Sequence, residues 1–371
     1  MPNLELSRGQ ILRHLLTILG IAALVFATVG VANARLNPYV YDGDAIDDVA
    51  QGLVQGRNFA NYDPNIDLRA LRAAQIRHLT TTPDIVIFGG SRWQEARSES
   101  IPGGHRVLNA FVSNDQIEDM MAITHLLDQA GRLPRTMVFS LRFVSLQPVA
   151  ARRTYDWKQW EADYAEMAGK LGVTPTPYPN RAPIQQWSGT FNMGGLFGRV
   201  QQLDTAEGTP ALTTATRDDH LDIIASDGSL RWSKKSDAKF TKKYVDKFVD
   251  NEILRAGPTR PAIDRDLVQV LGKLIDWLRA KNVRVVLAQT PYHPVYWQRI
   301  QSYPFAKTLH GLEAVAEEMA AKHGAIAENR FDPAPYPRCK AENFVDHIHG
   351  RYECLEDMFQ RMPDLVTGAR R

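Results

Sequence analysis

Pro83-Asp84-Ile85-Val86-Ile87-Phe88-Gly89-Gly90-Ser91-Arg92 is a short β-branched apolar run that ends in two glycines and a hydroxyl. Consecutive apolar residues without alternation read as a strand buried on both faces, the pattern of a parallel sheet. The glycine pair permits a tight turn, which sets Ser91 where a strand gives way to a helix. Outward from this stretch, residues 106–109 offer a second strand, residues 115–131 an amphipathic helix with acidic residues first and glycine last, and residues 136–141 a third strand. The rhythm resumes later with helix 263–281, strand 283–288, helix 306–323, a short strand at 325–327 and a final helix at 352–361. Strands alternating with helices imply right-handed βαβ units around a mostly parallel sheet, so the expected fold class is α/β.

Between about 150 and 261 the alternation lapses. This stretch carries Trp157, Trp160, Trp187 and Trp232, a Pro-rich segment at 174–183 and a Gly-rich one at 188–198, and reads as an insertion whose rings suit stacking on sugars. The basic cluster at 231–243 reads as a solvated face. Residues 35–82 read as a polar stalk leading into a helix around Leu68–Ile76, and residues 83–371 as the α/β domain that carries the insertion.

Residues 15–32 contain no charge and are preceded by Arg8 and Arg13. That length can span a bilayer, and the cationic flank places the N-terminus on the cytoplasmic side with the body exported. Residues 1–34 are therefore expected to be a membrane anchor crossing at 15–33, or a signal segment cleaved at the small-x-small site Ala32-Asn33-Ala34. The 44 Lys and Arg against 42 Asp and Glu give a net charge of +2, which excludes the strongly basic field that nucleic-acid binding needs.

Chemistry points to two distant places. Ser91 sits at the sheet edge where catalytic groups of open α/β folds collect, although a serine there can also simply cap a helix. Phe344-Val345-Asp346-His347-Ile348-His349 sets a carboxylate three residues before an imidazole. A serine hydroxyl needs an adjacent base to become a nucleophile, and the base needs a carboxylate to fix its tautomer, so Ser91, His349 and Asp346 supply the three parts of a triad. Asp346, His347 and His349 could also begin a metal site; no second compact Asp/His cluster accompanies them, and no metal or cofactor is expected. The two cysteines, Cys339 and Cys354, flank Asp346 and His349 and read either as a disulfide closing that loop or as two separate buried thiols.

The order strand-Gly-Gly-Ser91 early and Asp346-x-x-His349 late resembles the SGNH/GDSL hydrolase superfamily over roughly residues 83–362, excluding the insertion. The resemblance implies a three-layer, flavodoxin-like α/β fold and acyl-ester chemistry through Ser91, His349 and Asp346. The N-terminal segment, Gly89-Gly-Ser-Arg92, Thr290-Pro-Tyr-His293 and the cysteines look like an exported branch related to proteins of polysaccharide O-acetylation. That implies an esterase or O-acyltransferase with an acylated glycan as substrate and a membrane-bound acyltransferase as partner. Two departures stand out: Gly90 replaces the family's Asp, and no Asn follows strand 136–141, where the sequence reads Ser140-Leu-Arg142. The oxyanion donors must then come from backbone around Ser91 and the Phe111–Asn114 turn, with Ser113, Asn114, Arg92, Arg142 and His293 as candidate pocket residues. Asn114 is alternatively a helix cap. The rival reading is a catalytically silent carbohydrate-binding or assembly protein of the same fold.

Overall fold

The computed structural model describes residues 7–35, 43–60, 66–152, 156–176, 211–255, 262–328 and 331–362. The chain divides into two units, residues 1–42 with 178–209 and residues 43–177 with 210–371. The described part of the first is a 28-residue helix, α1 (Arg8–Arg35). Its Leu12–Val29 window has a mean hydropathy of 2.0 and is almost wholly exposed, so the helix is long and apolar enough to cross a membrane.

The second unit runs α2 (Gly43–Val54), β1 (Asn58–Ala60), α3 (Leu68–His78), β2 (Ile85–Phe88), β3 (Val107–Asn109), α4 (Ile117–Gln129), β4 (Thr136–Ser140) and α5 (Glu161–Leu171). It continues through β5 (Ala211–Thr213), β6 (Ile223–Ile224), β7 (Leu230–Arg231), α6 (Lys234–Asp237), α7 (Lys242–Arg255) and α8 (Arg265–Ala280), and ends with β8 (Arg284–Ala288), α9 (Pro294–Ile300), α10 (Pro304–His323), β9 (Ile326–Glu328) and α11 (Tyr352–Gln360).

The apolar runs form a five-stranded sheet in the order β3-β2-β4-β8-β9, every neighbouring pair parallel. Val86 pairs with Met137, and Val138 with Val286. Ile85, Ile87, Val138, Val286 and Ala288 share one core cluster with Leu355, Met358 and Phe359 of α11, while Phe88 on the other face meets Trp160 and Phe139. Burial on both faces is why these strands read as unbroken apolar runs. The chain leaves β2 toward β3 on one side and returns to β4 on the other, so the carboxyl end of β2 lies at the point where the strand order reverses.

The helix expected at residues 68–76 is present as α3, whereas residues 43–60, which the sequence presents as a stalk, carry a further helix and a strand of this same unit. Val49, Ala50 and Leu53 of α2 and Leu71, Ala74 and Ile76 of α3 are buried, giving each helix an inward apolar face. β1 is the hub of a second, antiparallel sheet, β5-β1-β6-β7, so part of the expected insertion pairs with residues upstream of the parallel sheet. Trp157 and Trp160 are 1% and 3% exposed, one against Tyr164 and the other against Phe88 and Arg69. They are core residues, not rings free to stack on a sugar. Trp187, the Gly-rich segment and residues 177–183 of the Pro-rich one lie outside the described residues.

The start of α4 is held by three arginine–carboxylate pairs, two of them buried and the third, Arg142 with Asp115, partly so. Arg69 donates to both oxygens of Asp119 at 2.8 and 2.9 Å, Arg152 to Glu118 at 2.7 Å, and Arg142 to Asp115 at 2.9 Å. Gln116, not Asn114, caps the helix, in a reciprocal capping box with Asp119. Carboxylates suit this positive end of the helix dipole, and each arginine offsets the cost of burying one.

Candidate active site

Ser91 opens a single turn of 3-10 helix, Ser91–Trp93, directly past β2. The Trp93 N–H donates to the Gly90 carbonyl at 3.0 Å, and the buried Asn109 amide donates to the Trp93 and Ala96 carbonyls at 2.8 and 2.9 Å. Both glycines are sterically required. A Cβ on Gly89 would overlap the Ser140 side chain, and one on Gly90 would overlap the Arg142 guanidinium and the Asp115 carboxylate.

The C-terminal loop brings the other groups to this turn. The Ser91 hydroxyl lies 2.8 Å from His349 Nε2, and His349 Nδ1 lies 2.6 Å from Asp346 Oδ2. The Ile348 and His349 N–H groups donate to Asp346 Oδ1 at 2.8 and 2.9 Å, so the carboxylate is oriented by its own backbone. Burial alone would raise the Asp346 carboxyl, but His349, His347 and the Ile348 amide outweigh it and hold the group well below the ordinary carboxylate range. An ionised Asp346 fixes the Nδ1–H tautomer of His349, which leaves Nε2 free to accept the Ser91 proton. Neither of the other two histidines reaches Ser91 in a hydrogen bond. His347 lies 3.9 Å from Asp346 and 4.0 Å from Glu252, packs on Tyr296, and is pushed down to about 4 by burial, which keeps it neutral. His293 is 1% exposed and packs edge-on against Phe344, with burial lowering its pKa, so its part is in the core beneath the loop.

No protein-family model, curated protein or solved structure matches this chain.

The supports of the site are therefore read from its own contacts. Arg92 is buried between the Tyr292 and Phe331 rings and donates to the carbonyls of Thr290, Pro291 and Ile348, so one guanidinium ties the Ser91 turn to the loop after β8 and to the histidine loop. Burial lowers it to about 10, still charged at neutral pH, and among the described residues its hydrogen bonds go to carbonyls. Arg142 extends from the end of β4 to Gly90. Ser113 and Asn114 are exposed, the Ser113 carbonyl accepting from Arg69 and the Asn114 amide reaching Asp156 at 3.5 Å. Among the described residues no group of three or more His, Cys, Asp or Glu is gathered where it could hold a metal ion.

The histidine loop is closed at both ends. Cys339 and Cys354 form a buried disulfide across a separation of 15 residues, and Phe344 pairs with Gly350 inside it. A loop of that size confines the unfolded chain by about 3 kcal/mol. The Cys339→Ala/Cys354→Ala variant is accordingly expected to lose about 3 kcal/mol of stability in urea unfolding under non-reducing conditions, while reductant destabilises only the wild type.

Glu95 was not singled out by the sequence, yet it lies at the same junction. Its carboxyl is 2% exposed and accepts from Trp232 Nε1 at 2.6 Å and from the Tyr352 N–H at 3.3 Å, with Arg97 at 3.9 Å. It joins the segment after Ser91 to the antiparallel sheet's last strand and to the start of α11. Burial pushes it up from 4.5 to about 7. The folded chain thus holds this proton more tightly than the unfolded chain, so this group's contribution to stability falls as pH rises from 4.5 to about 7. Glu95→Gln keeps an acceptor for Trp232 and removes that titration. Thermal melts of the variant should show a shallower decline over this range and a higher midpoint than wild type above pH 7; parallel curves would contradict the assignment.

Proposed function

We propose that the protein is a serine esterase or O-acyltransferase of the SGNH type, acting on acyl esters of a cell-envelope or extracellular polysaccharide. The observation that carries this reading is the unbroken chain Ser91 Oγ, His349 Nε2, His349 Nδ1, Asp346 Oδ2, with contacts of 2.8 and 2.6 Å. Support comes also from the sheet, whose sequential order second-first-third-fourth-fifth is that of flavodoxin-like doubly wound folds, with Ser91 at the carboxyl edge by the reversal point. The acetyl group and the glycan rest on the resemblance of the Ser91 and Asp346-x-x-His349 segments to the family, and α1 is compatible with tethering at a membrane.

In this mechanism Ser91 Oγ attacks the acyl carbonyl carbon as its proton passes to His349 Nε2, and the carbonyl π pair moves onto oxygen. The tetrahedral species collapses, the leaving oxygen takes the proton from His349, and an acyl-Ser91 ester remains. Water, or a sugar hydroxyl, deprotonated by His349 then attacks the acyl carbon; the bond to Ser91 Oγ breaks, His349 returns the proton to that oxygen, and the free acid or the acylated sugar leaves. Incubating the full-length protein in detergent with a fluorophosphonate tests the reading. Labelling that vanishes in Ser91→Ala supports it; no labelling of the wild type favours a silent glycan-binding protein of this fold.

A further inference from the structure

From the position of one guanidinium we infer that Arg142 is the side-chain oxyanion donor of this site, held in place by Asp115; the inference rests on the acyl-transfer reading above. The peptide bond that carries the Ser91 N–H begins at Gly90, and Arg142 Nη1 fills the space that a Cβ on Gly90 would occupy. The guanidinium therefore lies against Gly90, the residue whose carbonyl carbon carries the Ser91 amide. The Ser91 N–H, at the first position of its turn, has no intrahelical acceptor.

The guanidinium is oriented yet not used up. Arg142 Nη1 donates to Asp115 Oδ1 at 2.9 Å, and Asp115 is itself fully buried and accepts a second bond from the Ser145 hydroxyl at 3.3 Å. The remaining N–H groups of Arg142 have no partner among the described residues, and at 16% side-chain exposure they are not sealed from solvent. A charged, planar donor fixed by a buried carboxylate costs no reorganisation when negative charge develops in front of it. The positive charge of Arg92, close enough for the two guanidiniums to feel each other, adds to the same local field.

The contact also joins two features that look unrelated in the sequence. The absence of an Asn after β4 and the glycine at position 90 are one spatial fact: the longer side chain that replaces the amide needs the room that any side chain at 90 would take. Arg142 moves no proton. Its role is to stabilise the oxygen that receives the carbonyl π pair, in the ester-forming and ester-breaking steps alike.

Steady-state hydrolysis of 4-nitrophenyl acetate by the full-length protein in detergent tests this, with wild type, Ser91→Ala, Arg142→Ala, Arg142→Lys and Asp115→Asn side by side. Arg142→Ala is expected to lose about 10²–10³ in kcat with KM within about threefold, as for removal of one oxyanion donor. Added methylguanidinium should restore at least about tenfold of that loss, which a merely structural arginine would not allow, and Arg142→Lys should fall between. Asp115→Asn should lower kcat without changing fluorophosphonate labelling at saturation. Arg142→Ala with kcat within about threefold of wild type, or a loss that methylguanidinium leaves untouched, overturns the inference alone. Absence of Ser91-dependent turnover in the wild type overturns the parent reading as well.

Discussion

Ser91→Ala should abolish measurable turnover of an activated acetyl ester, with a loss of roughly 10⁴–10⁶ in kcat, while leaving the fold intact. Among the described residues its hydroxyl has one hydrogen-bonding partner, His349 Nε2, and the turn is held by the Trp93 amide, Gly90 carbonyl and Asn109 side chain, none of which the substitution touches. The stability change is therefore that of one partly exposed hydrogen bond, about 1 kcal/mol. The two readouts separate cleanly: initial rates with purified protein report the chemistry, and thermal unfolding reports the fold. A variant that keeps more than a tenth of the wild-type rate would remove Ser91 from the mechanism.

Asp346→Asn should cost about 10⁴ in kcat at neutral pH with KM little changed, through the tautomer of His349. The two carboxylate oxygens have separate duties: Oδ1 accepts the Ile348 and His349 amides, and Oδ2 accepts His349 Nδ1–H. An asparagine must turn its carbonyl toward the two amides, since its NH₂ cannot accept them. That leaves the NH₂ facing Nδ1, which forces the imidazole to carry its proton on Nε2 and to present a donor to Ser91 in place of an acceptor. Proton NMR offers an independent check, because the downfield Nδ1–H resonance of the wild type should vanish in the variant. Retention of both the resonance and the rate would show that Asp346 does not orient His349.

The sequence made the parallel sheet legible because its strands are buried on both sides and so lack alternation. The Ser91 turn and the Asp346-x-x-His349 segment were legible because glycine pairs and closely spaced carboxylate and imidazole groups are local signals. What escaped depends on distant partners. Arg69 and Asp119 are 50 residues apart, and nothing in either segment names the other. β1 has three residues and β6 and β7 two each, too short for any period to show, so the antiparallel sheet was folded into a stalk and an insertion. Trp157 and Trp160 read as binding rings because aromatic residues in an irregular stretch carry no mark of burial; α5 and β2 supply the mark only in three dimensions. Glu95 gave no signal for the same reason, being an ordinary glutamate until Trp232 and Tyr352 close over it.

Asp346 and His349 sit on a segment latched by sulfur, whereas Ser91 sits at the edge of the sheet, and this division matters at the bench. Protein prepared in a reducing host would keep β2, its neighbours and their helical cover, and would pass for native by circular dichroism or gel filtration. The segment carrying Asp346 and His349 would meanwhile lose one of its restraints and be left to the Arg92 contact and the Phe344–Gly350 pair. Material for any assay should accordingly be made by secretion or refolded with oxidant, and its thiol content titrated to zero before a blank result is taken as a property of the protein.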